Sequence, residues 1–186
     1  RMDIIKEHIY SENDFEEIQK NFNGKAEFDN GFIFLSSSTS IQHNRIKRKI
    51  LSKLDSFLTG SKCEAFDEAI EVIFQDMEEV YKYKPDVFVM CENSTRKGES
   101  FTSAPTIIFE IVSKSTASHN YITKLAVYQK FKVKEYNIVE QNGKIIQYSY
   151  VDDQYVINDV YKNDDIYVSS IFKDFQMKLS DIFSDI

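Results

Sequence analysis

The chain has 186 residues, a net charge of −7 from 23 basic and 30 acidic side chains, 42% hydrophobic residues and 14% aromatic ones. That length suits a single domain spanning residues 1–186, and the composition excludes a disordered chain, a collagen and a strongly basic nucleic-acid coat. No stretch reaches ~18 unbroken apolar residues, no secretory leader is visible and two cysteines make no disulfide framework, so a cytoplasmic protein is expected, with Cys63 and Cys91 as reduced thiols and no membrane partner.

Arg1 ahead of Met2 reads as an added residue, with Met2 as the natural start. Asp14 opens a short amphipathic run, Phe15, Ile18 and Phe22, which Gly24 can end, so a helix finishing near residue 23 is predicted. Residues 26–28 and 32–35 flank Asp29-Asn30-Gly31, and Asn-Gly tolerates positive φ at both central turn positions, which predicts a β-hairpin. The serine-rich stretch 36–40 is a loop able to cap the next helix, which runs to about Leu58 ahead of Gly60. That helix carries an apolar stripe, Ile46, Ile50, Leu54, Phe57 and Leu58, and opposite it Arg45, Arg48, Lys49 and Lys53, with Lys47 beside them. Residues 41–59 sum to +4, between a −4 stretch before and a −5 stretch at 60–100. A phosphate-facing surface is one reading of that face, and a merely solvated face is the other.

Residues 63–73 and 80–83 read as strands joined through the acidic turn 76–79, residues 86–91 as a strand opened by Pro85, and 92–103 as a polar loop. The β-branched and aromatic run 106–112 predicts a central strand covered on both faces. A turn at 113–118 leads to a helix marked by Tyr121, Leu125 and Tyr128 and ending near Phe131, then to a strand over 135–140, a strand–helix–strand crossover. Strands at 144–150, 154–160 and 166–168 and a short helix at 179–183 complete one α/β fold with a mixed sheet and additional antiparallel strands.

Glu110 interrupts this apolar strand: alternation puts it on one face with Ile108 and Val112, and Ile107, Phe109 and Ile111 on the other. A carboxylate there needs a cation, a metal or strong hydrogen bonds. Asp86 repeats the pattern at the mouth of Val87, Phe88, Val89 and Met90, so the pair can converge on a hard cation such as Mg²⁺, while each alone is equally an acidic strand margin or a salt-bridged core position. Lys124, on the helix that follows, can point back over the strand ends to orient water or offset phosphate charge, or stand exposed. The three histidines, His8, His43 and His119, lack zinc-site spacing, no glycine pattern suits a nucleotide loop, and Ser113, Ser115 and Ser118 beside His119 read as capping residues in the absence of a GxSxG elbow.

Pro85-Asp86-Val87-Phe88-Val89, then Pro105-Thr106-Ile107-Ile108-Phe109-Glu110-Ile111-Val112-Ser113 with Ser115-Thr116, then Lys124-Leu125 with Tyr128, then Val133-Lys134-Glu135-Tyr136-Asn137-Ile138-Val139 resembles the Uma2 family of restriction-endonuclease-like proteins, placed in the PD-(D/E)XK nuclease superfamily. The likeness extends through 26–31 and His43 upstream and to Leu179 and Phe183 downstream. It implies a restriction-endonuclease-like fold with Asp86 and Glu110 as metal ligands and Lys124 as the catalytic lysine, since Val112 stands where the wider superfamily has its lysine. Glu27 matches an acidic position of the first hairpin and is implied as a further ligand. Two departures stand out: Lys114 in place of a common proline, and Asn120 in place of a common aspartate, the latter bearing on activity more than on fold.

These readings together lead to an expected Mg²⁺- or Mn²⁺-dependent endonuclease acting on nucleic acid, DNA foremost, with Asp86 and Glu110 holding the metal, Lys124 positioning water and Arg45, Arg48, Lys49 and Lys53 tracking the backbone. A homodimer follows only by analogy with nucleases that cut both strands. The alternatives are a catalytically weak module that keeps the fold and binds nucleic acid or protein, and a hydrolase of small phosphoesters.

Overall fold

A computed structural model describes residues 9–114 and 116–184, so the readings at Arg1, Met2, His8 and Ser115 lie outside the described residues. The first helix, α1 (Glu12–Asn21), starts where Ser11 and Asp14 cap each other: the Ser11 hydroxyl accepts the Asp14 N–H, and the Asp14 carboxylate accepts the Ser11 N–H. Its Phe15 packs on Ala26 and Phe28 of β1 (Lys25–Asp29). Strand β1 turns into β2 (Phe32–Ser36) through Asn30 at φ 42° and Gly31 at φ 108°, the predicted hairpin, and a side chain at Gly31 would also strike Ile9. Ser40 caps α2 (Ile41–Leu58), which buries Ile46, Ile50, Leu54 and Leu58 as expected.

One strand was expected over 63–73, but two form, β3 (Glu64–Asp67) and β4 (Val72–Gln75), and they enter different sheets. Asp67 divides them: its side chain accepts the Ala69 N–H and its carbonyl the Ile70 N–H, a turn that competes with continued pairing. After β5 (Val80–Tyr83) and β6 (Val87–Met90), the expected loop at 92–103 holds a small hairpin, β7 (Arg96–Lys97) with β8 (Ser100–Phe101). Strand β9 (Ile107–Val112) leads to a π-helix (His119–Lys124) that continues as α3 (Leu125–Lys130). The remaining elements are β10 (Glu135–Glu140), β11 (Lys144–Val151), β12 (Gln154–Tyr161), β13 (Ile166–Val168), β14 (Gln176–Lys178), which the sequence reading missed, and α4 (Leu179–Phe183).

Two six-stranded sheets result, ordered β2-β1-β5-β4-β8-β7 and β12-β11-β10-β9-β6-β3. In the second sheet β9 and β10 run parallel, joined by the π-helix and α3, and the other pairs are antiparallel. All six residues of β9 are buried. Ile107, Phe109 and Ile111 pack with α2 and α4, whereas Ile108 and Val112 share a second core with Val72, Phe74 and Tyr83 of the first sheet. This is the mixed α/β architecture with helices flanking the central sheet, and the space between the sheets is where Glu110 points. Among the described residues no helix is long and apolar enough to cross a membrane.

Cys63 and Cys91 are not the separate thiols expected. Strands β3 and β6 pair with Glu64 opposite Met90, which sets the cysteines face to face one step further on, joined in a disulfide across a sequence separation of 28. Their distance along the chain concealed that adjacency.

Glu135 carries a fully buried carboxylate on β10. It accepts hydrogen bonds from Tyr167 Oη, Asn137 Nδ2 at 2.9 Å, Ser169 Oγ at 2.9 Å, and both the Ser170 N–H and Oγ at 2.7 Å, pinning the end of β13 to the central sheet. Replacing Glu135 with Leu removes the shared acceptor of all these donors and is expected to destabilise the fold by about 3–5 kcal/mol, against about 1 kcal/mol for Ser170→Ala, in urea unfolding.

Candidate active site

Strand β1 alternates, so Ala26 and Phe28 face α1 while Lys25, Glu27 and Asp29 line the opposite face. That charged face meets Glu110 of β9, Asp86 just ahead of β6, and the π-helix. Lys124 Nζ lies 2.8 Å from Glu110 Oε1 and 2.9 Å from Glu27 Oε2, and Lys25 Nζ lies 3.3 Å from Asp86 Oδ1 and 3.7 Å from Glu27. Two lysines thus bridge three carboxylates brought in by three separate strand segments. Each carboxylate has further donors. Asp86 Oδ2 accepts the Ile111 N–H at 2.7 Å and faces His43 Nε2 at 3.2 Å, Glu27 accepts the Lys84 N–H at 2.8 Å, and Tyr128 Oη donates to Glu110 at 2.7 Å.

The cluster is shut: Glu110 is 1% exposed, Lys124 2%, Asp86 4% and Glu27 5%. Two surface hollows, one lined by residues from Asp55 to Ala65 and one between Tyr10 and Phe22, lie elsewhere. Burial works against every charge here, and the partners decide the outcome. For Asp86 the neighbouring Lys25 and His43 overcome burial and hold its carboxyl well below the usual range; for Glu27 Lys124 and Lys25 do the same. Glu110 goes the other way: burial dominates, Lys124 offsets it only in part, and the like charge of Asp86 adds to it, so its carboxyl titrates above the ordinary value. Burial lowers both lysines, yet the carboxylates around them outweigh it and keep Lys25 and Lys124 protonated.

The π-helix explains how β1 and the helix fit. Successive same-face residues on a strand are roughly 6.8 Å apart, whereas residues five apart on an α-helix are rotated by about 140°. The wider π turn brings His119 and Lys124, five apart, onto one side, where His119 Nε2 meets Asp29 Oδ2 at 2.7 Å and Lys124 meets Glu27, two residues earlier on β1. Tyr83 fills the gap, donating its hydroxyl to Asp29 while its ring lies 5.0 Å from Lys124 Nζ.

Sequence reasoning singled out Asp86, Glu110, Lys124 and Glu27, and the structure brings these four together. The basic helix is different. Lys47 is buried against Asp67 and Glu68, not displayed on the outer face; Lys49 donates to the Ser184 carbonyl at 2.8 Å, and Lys53 sits 3.5 Å from Asp181. Arg45 and Arg48 are exposed, and α2 begins beside the cluster, since His43 belongs to its first turn. Lys25, Asp29 and His119 were missed. The alternation Lys25-Ala26-Glu27-Phe28-Asp29 was the available signal for the first two, and His119 had none, because its relation to Lys124 is invisible at α-helical spacing.

The profile of a family described as "putative restriction endonuclease", Uma2, matches residues 13–180. The chain belongs to the Uma2 family. The search of curated proteins finds no match. A crystal structure of "a putative nuclease belonging to DUF820" from Anabaena variabilis superposes with a TM-score of 0.69 at 16% identity, covering 86% of this chain and 89% of that one, which shows a shared fold. The structure also places Val112, where the wider superfamily was expected to have its lysine, and Asn120, one of the two departures from the family pattern. Val112 lies in the apolar core between the sheets, so a lysine there would be stranded, and the ammonium beside Glu110 comes from Lys124 instead. Asn120 is buried, gives its Nδ2 to the Thr116 carbonyl at 3.1 Å, and leaves Oδ1 without a partner, an acceptor that an aspartate would supply with charge.

Lys124→Met removes the ammonium between Glu27 and Glu110 and is expected to cost about 3–5 kcal/mol at pH 8. Without it the Glu110 carboxyl, already raised by burial, titrates higher still in the folded state, so its contribution to stability persists below the unfolded value of roughly 4.3 and is lost as pH rises through the folded one. The deficit against wild type, measured by urea unfolding, should therefore shrink at pH 5; an equal deficit at both pH values would place the lysine's contribution in packing.

Proposed function

We propose that the chain hydrolyses phosphodiester bonds of nucleic acid, DNA foremost, with Mg²⁺ or Mn²⁺ held by Asp86 and Glu110 and assisted by Glu27. The observation that carries the reading is the convergence of these three carboxylates with Lys124 in a protein of a restriction-endonuclease family. No group of three His, Cys, Asp or Glu side chains is disposed around a metal position among the described residues. The donor chemistry nonetheless fits: carboxylate oxygens suit a hard dication, three carboxylates face two lysines, and Glu110 is held against its charge by burial and by Asp86, a conflict that a bound cation would relieve. When bound there, the ion polarises the phosphoryl oxygen and acidifies water.

The chain's own residues do the rest. His43 and the Ile111 N–H fix the Asp86 carboxylate, and Tyr128 fixes that of Glu110. Lys124 offers a permanent positive charge to the phosphoryl group as negative charge develops on it. Lys25, at 20% side-chain exposure the most open of the five charged groups, neutralises Asp86 until substrate or metal takes its place. Arg45 and Arg48, exposed on α2, whose first turn holds His43 against Asp86, supply sequence-independent attraction to the phosphate backbone.

Glu110→Gln keeps the shape of the side chain and discards the charge, so Mg²⁺-dependent cleavage of plasmid DNA should vanish while the far-ultraviolet dichroism spectrum is retained. Cleavage at the wild-type rate would make Glu110 structural. Comparing plasmid with a small phosphodiester separates a nuclease from a hydrolase of small phosphoesters. Replacing Arg45 and Arg48 together with Ala should flatten the slope of log affinity against log salt by up to about 2 units on duplex DNA, with the saturated rate unchanged.

A further inference from the structure

Strand β2 is an edge of the first sheet and carries no charged residue from Phe32 to Ser36, yet it adjoins the charged cluster. Its register with β1 sets Phe34 opposite Glu27 and Phe32 opposite Asp29, which puts both rings on the same face as the carboxylates. Both remain about two-fifths exposed, at 43% for Phe32 and 42% for Phe34. Phe34 lies flat on His119, with centroids 4.0 Å apart and planes 13° from parallel, and His119 is in turn held by Asp29. One face of Phe34 is therefore backed by a fixed imidazole, while the residue as a whole stays 42% exposed.

We propose that Phe34, backed by His119, and Phe32 form a stacking platform for unpaired nucleobases beside the carboxylate and lysine cluster, so that the substrate is a single strand or frayed end in preference to intact duplex. The inference rests on the nuclease reading and deepens it. A neutral pair of aromatic faces matches a base and offers a phosphate nothing, and bases stacked inside a duplex do not present their faces to a side chain. The platform also gives His119 and Asp29 a role in holding a binding surface.

The chain contains no Trp, so Phe34→Trp introduces a lone indole whose emission a stacked base quenches. In EDTA, which separates binding from cleavage, single-stranded DNA or RNA oligomers should quench this variant strongly, and a blunt duplex of the same sequence much less. Phe34→Leu, which keeps apolar bulk without a π face, should weaken single-strand binding by roughly tenfold in fluorescence anisotropy while Phe34→Trp retains it. Equal quenching by duplex and single strand, or wild-type affinity in Phe34→Leu, overturns the platform. So does indole emission that changes with protein concentration in place of oligomer, which would make β2 a contact between two copies of the chain. If wild type cleaves with Mg²⁺ and Phe34→Leu cleaves single strands unimpaired, the nuclease reading stands and the platform falls. If single strands bind through Phe34 but nothing is cleaved, the nuclease reading falls instead.

Discussion

Charges taken out of water must be answered by charges or strong donors, and the space between the two sheets holds a cluster of them. Glu27, Asp86 and Glu110 come from separate strand segments, and Lys25 and Lys124 stand between them like rivets. Much else in the molecule follows from that requirement. The hairpin must place alternate residues of β1 inward, the helix after β9 must widen to a π turn so that Lys124 and His119 both reach β1, and Tyr83 and Tyr128 must spend their hydroxyls on carboxylates. Apolar packing on the remaining surfaces of the same strands supplies the stability against which this charged interior is maintained.

The arrangement is tense by construction. Asp86 is over-provided with partners, while Glu110 shares its principal cation with Glu27 and feels Asp86 as a like charge. A buried network of this kind contributes little net stability, because replacing buried ion pairs by apolar groups often costs nothing.

Elements with a strong local signal were legible in the sequence. Asn30-Gly31 announced the hairpin, the β-branched run around Glu110 announced the central strand, and an uninterrupted stripe from Ile46 to Leu58 announced α2. What escaped depended on contacts far apart in the chain. The turn at Asp67 hid inside an apolar-looking run, the partnership of Cys63 and Cys91 required knowing that β3 and β6 are neighbours, and Lys47 looked like part of a basic face until Asp67 and Glu68 claimed it. In the site, the anomaly of a carboxylate in an apolar strand marked Glu110 and Asp86, the helix following that strand suggested Lys124, and family likeness added Glu27 and the role of Lys124. The dyad of Asp29 and His119 depends on helix geometry that no α-helical template represents.

The contacts that close the site have a consequence for how the chain acquires its shape. Lys124 and Glu27 are 97 residues apart in sequence, and His119 and Asp29 are 90 apart, so neither pair profits from local folding. Closing such loops is slow, and until the hairpin docks, the segment after β9 has no reason to adopt the wider turn. The central sheet, built from β9, β10 and β11 over a short stretch of chain, is therefore positioned to form first with Glu110 still wet. Burial of the charge cluster is therefore expected late in folding, and a chain that completes its sheet without capturing the hairpin keeps a native-like core while Glu110 and Lys124 stay in water.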